Sequence, residues 1–201
     1  VRFRSLGVNM SFGVGNEVEG SARIDAVVDS ILALHPDVVF AVSAGNDGPG
    51  LSTVGFPGSA ARVLTVGATL PAAFLWTDRR DRGVGPVAFF SSRGGELGKP
   101  DLVTPGMAWS TVPRWDSGGE QESGTSMASP HAAGIVALLR SALVQEGRQA
   151  DARAIRQALM VTAQPLDGAT ALDQGAGVPN VGRAHRWLQG GHAVPAVRAA
   201  G

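Results

Sequence analysis

The chain has 201 residues, 44% of them hydrophobic, with 17 Lys plus Arg against 17 Asp plus Glu and no cysteine. That length and apolar content suit one domain with a core of its own. The charge balance argues against a polyanion-binding surface, and the lack of cysteine excludes disulfides and thiolate metal sites while leaving the compartment open. No stretch reads as a membrane span and no charged-then-apolar leader opens the chain, which begins in mid-element on Val1-Arg2-Phe3-Arg4. Neither nucleic acid nor membrane is expected as a partner.

Leu6 to Met10 reads as a short strand entering the loop Ser11-Phe12-Gly13. The glycines of Gly13 to Gly20 have the wrong spacing for a dinucleotide loop, and two glutamates would face the phosphates. Ser21 can cap a helix whose Ile24, Val27, Val28, Ile31 and Leu32 share one face, which leaves Asp25 and Asp29 toward solvent; His35-Pro36 ends it. Val38 to Ala44 is apolar without alternation, as in a parallel strand covered on both faces, and breaks into the turn Gly45 to Gly50. Arg62 to Ala68 reads as the next strand, residues 71 to 86 as a loop with a charged cluster, Asp78 to Arg82, and Val87 to Phe90 as a short strand. Lys99 to Gly106 is a strand between proline turns, and Trp109 to Glu122 a polar surface loop. Asp151 caps a helix with Ile155, Ala158, Leu159 and Thr162 on one face; Asn180 caps another with Val181, Ala184 and Leu188. The tail from Gly190 is Ala/Gly-rich and expected to fray.

Apolar strands alternating with helices give an α/β fold, in which ligands gather at the carboxyl ends of the strands. Two such ends are Ser11-Phe12-Gly13 and Ala44-Gly45-Asn46, although an asparagine before Asp-Gly also suits a turn. The most helix-like run follows Ser123-Gly124-Thr125-Ser126, with Thr125 as a cap and Pro130 near the first turn. Ala128, Ala132, Ala133, Gly134 and Ala137 have so little bulk that other backbone can press close. Ser126 then sits at the positive end of the helix.

These blocks resemble the subtilase family of serine proteases, over its C-terminal two-thirds or so. Val8 to Gly13, Ala44-Gly45-Asn46, Gly55-Phe56-Pro57-Gly58, Phe90 to Gly94, Lys99 to Gly106, Gly124 to Gly134 and Gly175 to Asn180 occur in the family's order. The resemblance implies a three-layer subtilisin-like fold with a mostly parallel sheet, over 1–189, with N-terminal strands missing and a flexible tail at 190–201. It implies Ser126 as the nucleophile that forms an acyl-enzyme and the Asn46 amide as an oxyanion donor beside the Ser126 N–H. Ser11, Phe12 and Gly13 would pair with a polypeptide substrate as an added strand, with Ala44, Gly45 and Gly55 walling its pocket. A propeptide and secretion are further implications. Calcium is common in the family, but no loop here gathers enough placed carboxylates for a metal site.

The catalytic Asp and His of a subtilase precede the oxyanion asparagine, and nothing before Asn46 fits them. His131 lies five residues beyond Ser126, about 140° round the helix, and cannot reach the hydroxyl. Both groups are therefore expected from an upstream segment, so that these residues alone are inactive and, with an open sheet edge, unstable or aggregation-prone. Two alternatives stand beside this reading. One is a non-catalytic subtilase fragment or pseudoprotease acting as an interaction domain. The other is an α/β-hydrolase esterase using Ser126, Asp173 and His185 or His192, which lacks an apolar strand before the serine.

Overall fold

The computed structural model describes residues 7–15, 18–74, 84–109 and 121–191. Four strands, β1 (Gly7–Met10), β2 (Val39–Ser43), β3 (Leu64–Thr69) and β4 (Leu102–Pro105), form a wholly parallel sheet in the order β1-β2-β3-β4. All four carboxyl ends therefore open on one edge. Beyond β4, β5 (Met107–Trp109) and β6 (Gln121–Ser123) form an antiparallel pair. The expected polar loop from Trp109 to Glu122 is thus partly a two-stranded ribbon.

Side chains that alternate along β2 divide the core into two layers. Val39 and Ala41 join Leu64, Val66 and Ala68 against α2 (Thr125–Gln145), α3 (Ala152–Val161) and α5 (Val181–Gln189). On the opposite face Phe40 and Val42 meet Val63 and, from α1 (Arg23–Leu34), Val28 and Leu32. Helix, sheet and helix make the three layers that the sequence implied. Asp151 and Asn180 cap α3 and α5 through their side chains, accepting from Ala154 N at 2.7 Å and Arg183 N at 3.0 Å.

Helix α1 departs from expectation in two ways. Its N-cap is Ala22, without a side-chain bond, so Ser21 does not cap it. Its Asp25 is buried, and Asp29 also turns inward, while Ile24, Val27 and Ile31 are exposed. The loop entering β3 explains the rotation. Asp25 accepts from the Ser59 hydroxyl at 2.9 Å, and Asp29 accepts from Ala61 N at 3.1 Å and Arg62 N at 2.7 Å. The Ser59 hydroxyl would otherwise be buried unpaired, and the exposed Ala61 and Arg62 amides add charge-assisted bonds to Asp29.

Val87 makes only an isolated bridge to Thr69, and the chain then turns through Phe89-Phe90, so the short strand expected there does not form. A one-turn helix the sequence reading passed over, α4 (Ala171–Gln174), carries a capping box between Thr170 and Asp173. The opening residues, the 78–82 charge cluster and the tail beyond residue 191 lie outside the described residues.

With 21 residues, α2 is long and apolar enough to cross a membrane, contrary to the sequence expectation. Here its length serves the sheet. Ala128, Ala132, Val136, Leu139 and Leu143 are buried against the strands, and Thr104 Oγ1 and Ser129 Oγ tie helix and sheet through Ala128 O (2.7 Å) and Ala41 O (3.2 Å).

Candidate active site

The carboxyl ends of β1 and β2 and the start of α2 enclose a slot of about 330 Å³. Ser11, Phe12, Gly13, Gly45, Asn46, Gly55 and Ser126 line it, so six expected binding or catalytic positions and the serine meet in one place. Ala44 is not among the lining residues. It is buried, and its carbonyl accepts Gly55 N–H at 3.3 Å, so it supports the wall rather than forming it. Val14, Ser43, Asp47 and Thr125 also line the slot and were not anticipated. Ser43 was hidden in a uniformly apolar run, and Thr125 was expected to cap.

Thr125 does something else. The N-cap of α2 is Gly124, with no side-chain cap bond. Thr125 Oγ1 instead accepts from Gly45 N at 3.2 Å and donates to Asn46 Oδ1 at 3.0 Å, while Thr125 N–H donates to the same oxygen at 2.9 Å. A backbone N–H can only donate, so these bonds fix the amide: its oxygen is taken up and its NH2 is left for the slot. A Cβ on Gly124 would lie 3.4 Å from Asn46 Nδ2 and 3.6 Å from Ser126 N. Both nitrogens thus border the same space, with Asn46 Oδ1 at 3.7 Å, and it is the φ of +155° rather than crowding that favours glycine at 124. Gly55 is required for a steric reason, since a Cβ there would meet Val14 O at 2.2 Å.

Pro130 is the sixth residue of α2 and has no N–H, so it cannot bond the carbonyl four residues back, which is that of Ser126. The Ser11 hydroxyl donates to this freed oxygen at 2.8 Å. Asn9 Nδ2 donates to Ser11 Oγ at 3.1 Å, and Ser129 Oγ donates to Asn9 Oδ1 at 2.6 Å. A polar chain therefore joins the end of β1 to the serine's own peptide unit. Ser11→Ala is expected to lower stability by ~1 kcal/mol, the worth of one hydrogen bond, with Ser11→Thr restoring it. Urea unfolding checks this.

No hydrogen bond reaches the Ser126 hydroxyl from a His, Asp or Glu among the described residues. His131 Nδ1 donates to Met127 O at 2.8 Å, and the residue is exposed on the helix. Asp173 is engaged by Thr170 and pairs with Arg93 at 2.9 Å, while His185 pairs with Glu146 at 3.0 Å. Neither is available as the esterase partner of Ser126, and His192 lies outside the described residues. Burial pushes the Asp173 carboxyl up, but the Thr170 N–H and hydroxyl and the Arg93 charge outweigh it and hold it below its ordinary value.

No group of three or more His, Cys, Asp or Glu side chains suited to a metal assembles among the described residues. The carboxylates of Glu19, Asp25, Asp29 and Asp101 are each taken up by protein donors, so the calcium that the resemblance implied finds no fitting donor set there.

The subtilase family model matches residues 8–178, from β1 to the turn before α5. The chain belongs to the subtilase family. It is 37% identical over 203 residues to pyrolysin of Pyrococcus furiosus, across 87% of this chain and 14% of that protein. With tripeptidyl-peptidase 2 of Drosophila melanogaster it shares 34% identity, across 90% of this chain and 13% of the relative. With subtilisin of Bacillus pumilus it shares 38%, across 67% and 42%. Among solved structures, the prenylagaramide maturation protease PagA superposes with a TM-score of 0.73 at 27% identity, covering 92% of this chain and 62% of that one. The chain thus spans a minor part of these curated subtilases.

Proposed function

We propose that the chain is the nucleophile-bearing part of a serine endopeptidase that hydrolyses polypeptides through an acyl-enzyme. The observation that carries this reading is the Asn46 amide, its oxygen taken by Thr125 and its NH2 left beside the Ser126 N–H. Two donors bordering one small space suit the oxyanion of a tetrahedral intermediate, the point where acyl transfer most needs stabilisation. Ser126 Oγ attacks the carbonyl carbon, the amine leaves with a proton, and water releases the acyl group. The substrate runs along exposed Ser11-Phe12-Gly13 as an added strand.

The base and the carboxylate come, in this reading, from an upstream segment. The outer edge of β1, which pairs only with β2 among the described residues, and an apolar groove of about 980 Å³ that begins at Ser126 and runs along α2 past His131 to Ser141 suit its docking. Leu138, 64% exposed, and Ile135 lie in that groove. An added strand and helix would cover both surfaces and bring a histidine to the serine. A propeptide and export belong to the same reading. The compartment does not follow from the family, since a mouse relative, 36% identical, is named a membrane-bound transcription factor protease.

The test compares residues 1–201 with the protein that includes the upstream sequence. The longer protein is expected to hydrolyse casein and to be labelled by a fluorophosphonate, and Ser126→Ala to abolish both. The 201-residue chain alone is expected to show neither, and to melt broadly. Turnover by that chain would overturn the assignment of the base to another segment. A folded longer protein without turnover or label would favour the interaction-domain reading.

A further inference from the structure

Glu19 is only 4% exposed, and a buried carboxylate requires strong donors. Its partners are backbone groups. Oε1 accepts from Val54 N at 3.1 Å, and Oε2 accepts from Glu96 N and Leu97 N, each at 3.1 Å. Three charge-assisted bonds from two loops thus converge on one side chain, which follows the slot's first wall by a few residues. We propose that Glu19 is a positioning residue for the substrate slot. It fixes buried Val54, and through it the lining residue Gly55, and so sets the selectivity for the substrate side chain that precedes the scissile bond. This rests on reading the slot as a peptide site.

The wall has no slack. Gly55 approaches Val14 so closely that a Cβ would collide with Val14 O, and Val14 N–H donates to Phe56 O at 3.0 Å. Gly55 N–H is held by Ala44 O, and Thr53 N–H by Arg93 O at 2.9 Å. A shift at Val54 therefore passes straight into Gly55, a lining residue. Glutamine cannot take over the role. One of its terminal atoms is an NH2, which would face an N–H donor on one loop or the other. Aspartate is one methylene shorter and cannot hold both loops at these distances.

The test measures binding without catalysis. In a Ser126→Ala form of the assembled protein, calorimetric titration compares two peptides that differ only in a C-terminal Phe or Ala. Glu19→Gln is expected to lower the ratio of their affinities about tenfold, within the range that pocket discrimination spans. In the Ser126 form, the same substitution is expected to leave the fluorophosphonate labelling rate within about twofold, since it leaves the serine's own bonds in place. A purely structural role would lower the melting temperature and leave the affinity ratio unchanged; that result, or equal weakening of both peptides, overturns the proposal. A wild-type slot without preference between the peptides overturns it too. Hydrogen exchange on the unsubstituted protein gives a second reading: the Val54, Glu96 and Leu97 amides are expected to be protected together, and rapid exchange at Val54 would overturn the clamp. Lack of labelling in the Ser126 form would instead count against the peptidase reading, leaving the affinity ratio to decide this one.

Discussion

Asn46→Leu is expected to lower kcat of the assembled peptidase roughly 100- to 1000-fold with KM within a few-fold, which is the loss known for the oxyanion asparagine of a subtilase. The substitution keeps side-chain size and removes the NH2 that borders the slot beside Ser126 N. Substrate binding along Ser11-Phe12-Gly13 does not involve that group, so the loss should fall on the transition state rather than on affinity. Thr125→Val is the informative companion. It removes the hydroxyl from Asn46 Oδ1 but leaves the Thr125 N–H bond, so the amide stays oriented by one bond instead of two. Its expected loss is about fivefold, the worth of one neutral hydrogen bond of ~1 kcal/mol. Steady-state kinetics with a chromogenic peptide checks both; a rise in KM at constant kcat for Asn46→Leu would count against the oxyanion role.

Much of this arrangement was readable in the sequence because its signals are local. The apolar runs gave β2 and β3, and Asp151 and Asn180 announced α3 and α5 through caps that depend on three residues. The pairing of the serine block with Asn46 rests on the resemblance to the subtilase family, and the parallel sheet adds only that Asn46 follows a carboxyl end. What escaped depends on contacts distant in sequence. Asp25 and Asp29 read as solvent-facing because their donors lie more than thirty residues on, in the loop before β3. Thr125 looked like a cap, its commonest local use, until Gly45 and Asn46 claimed its hydroxyl from 80 and 79 residues away. Ala44 lies just past the end of β2 and is buried behind the slot, while Ser43, which reads in the sequence only as part of an apolar run, lines it.

The same long-range logic governs the largest stability effect. Lys99, 7% exposed, donates to Val63 O at 3.1 Å and to Asp101 Oδ2 at 2.8 Å, and that carboxylate also accepts Thr65 N–H at 2.7 Å. Asp101→Ala strips the buried ammonium of its counter-charge and the β3 N–H of its acceptor. It is expected to cost about 3–5 kcal/mol, the range for breaking a buried pair from one side. Lys99→Met/Asp101→Ala should recover part of that, because the uncompensated charge is gone while the Thr65 N–H stays unpaired. Burial pushes the Lys99 pKa below its ordinary 10.5 more than the Asp101 charge raises it, and Arg156 adds to the lowering. Between the lowered folded value and the ordinary one, the unfolded chain holds a proton that the folded chain has shed. Stability from this group therefore rises with pH across that alkaline window and is lowest below it. Urea unfolding from neutral to alkaline pH should show wild type gaining on Lys99→Met as pH rises. A difference that shrinks with pH would mean that the Asp101 charge outweighs the cost of burying the ammonium.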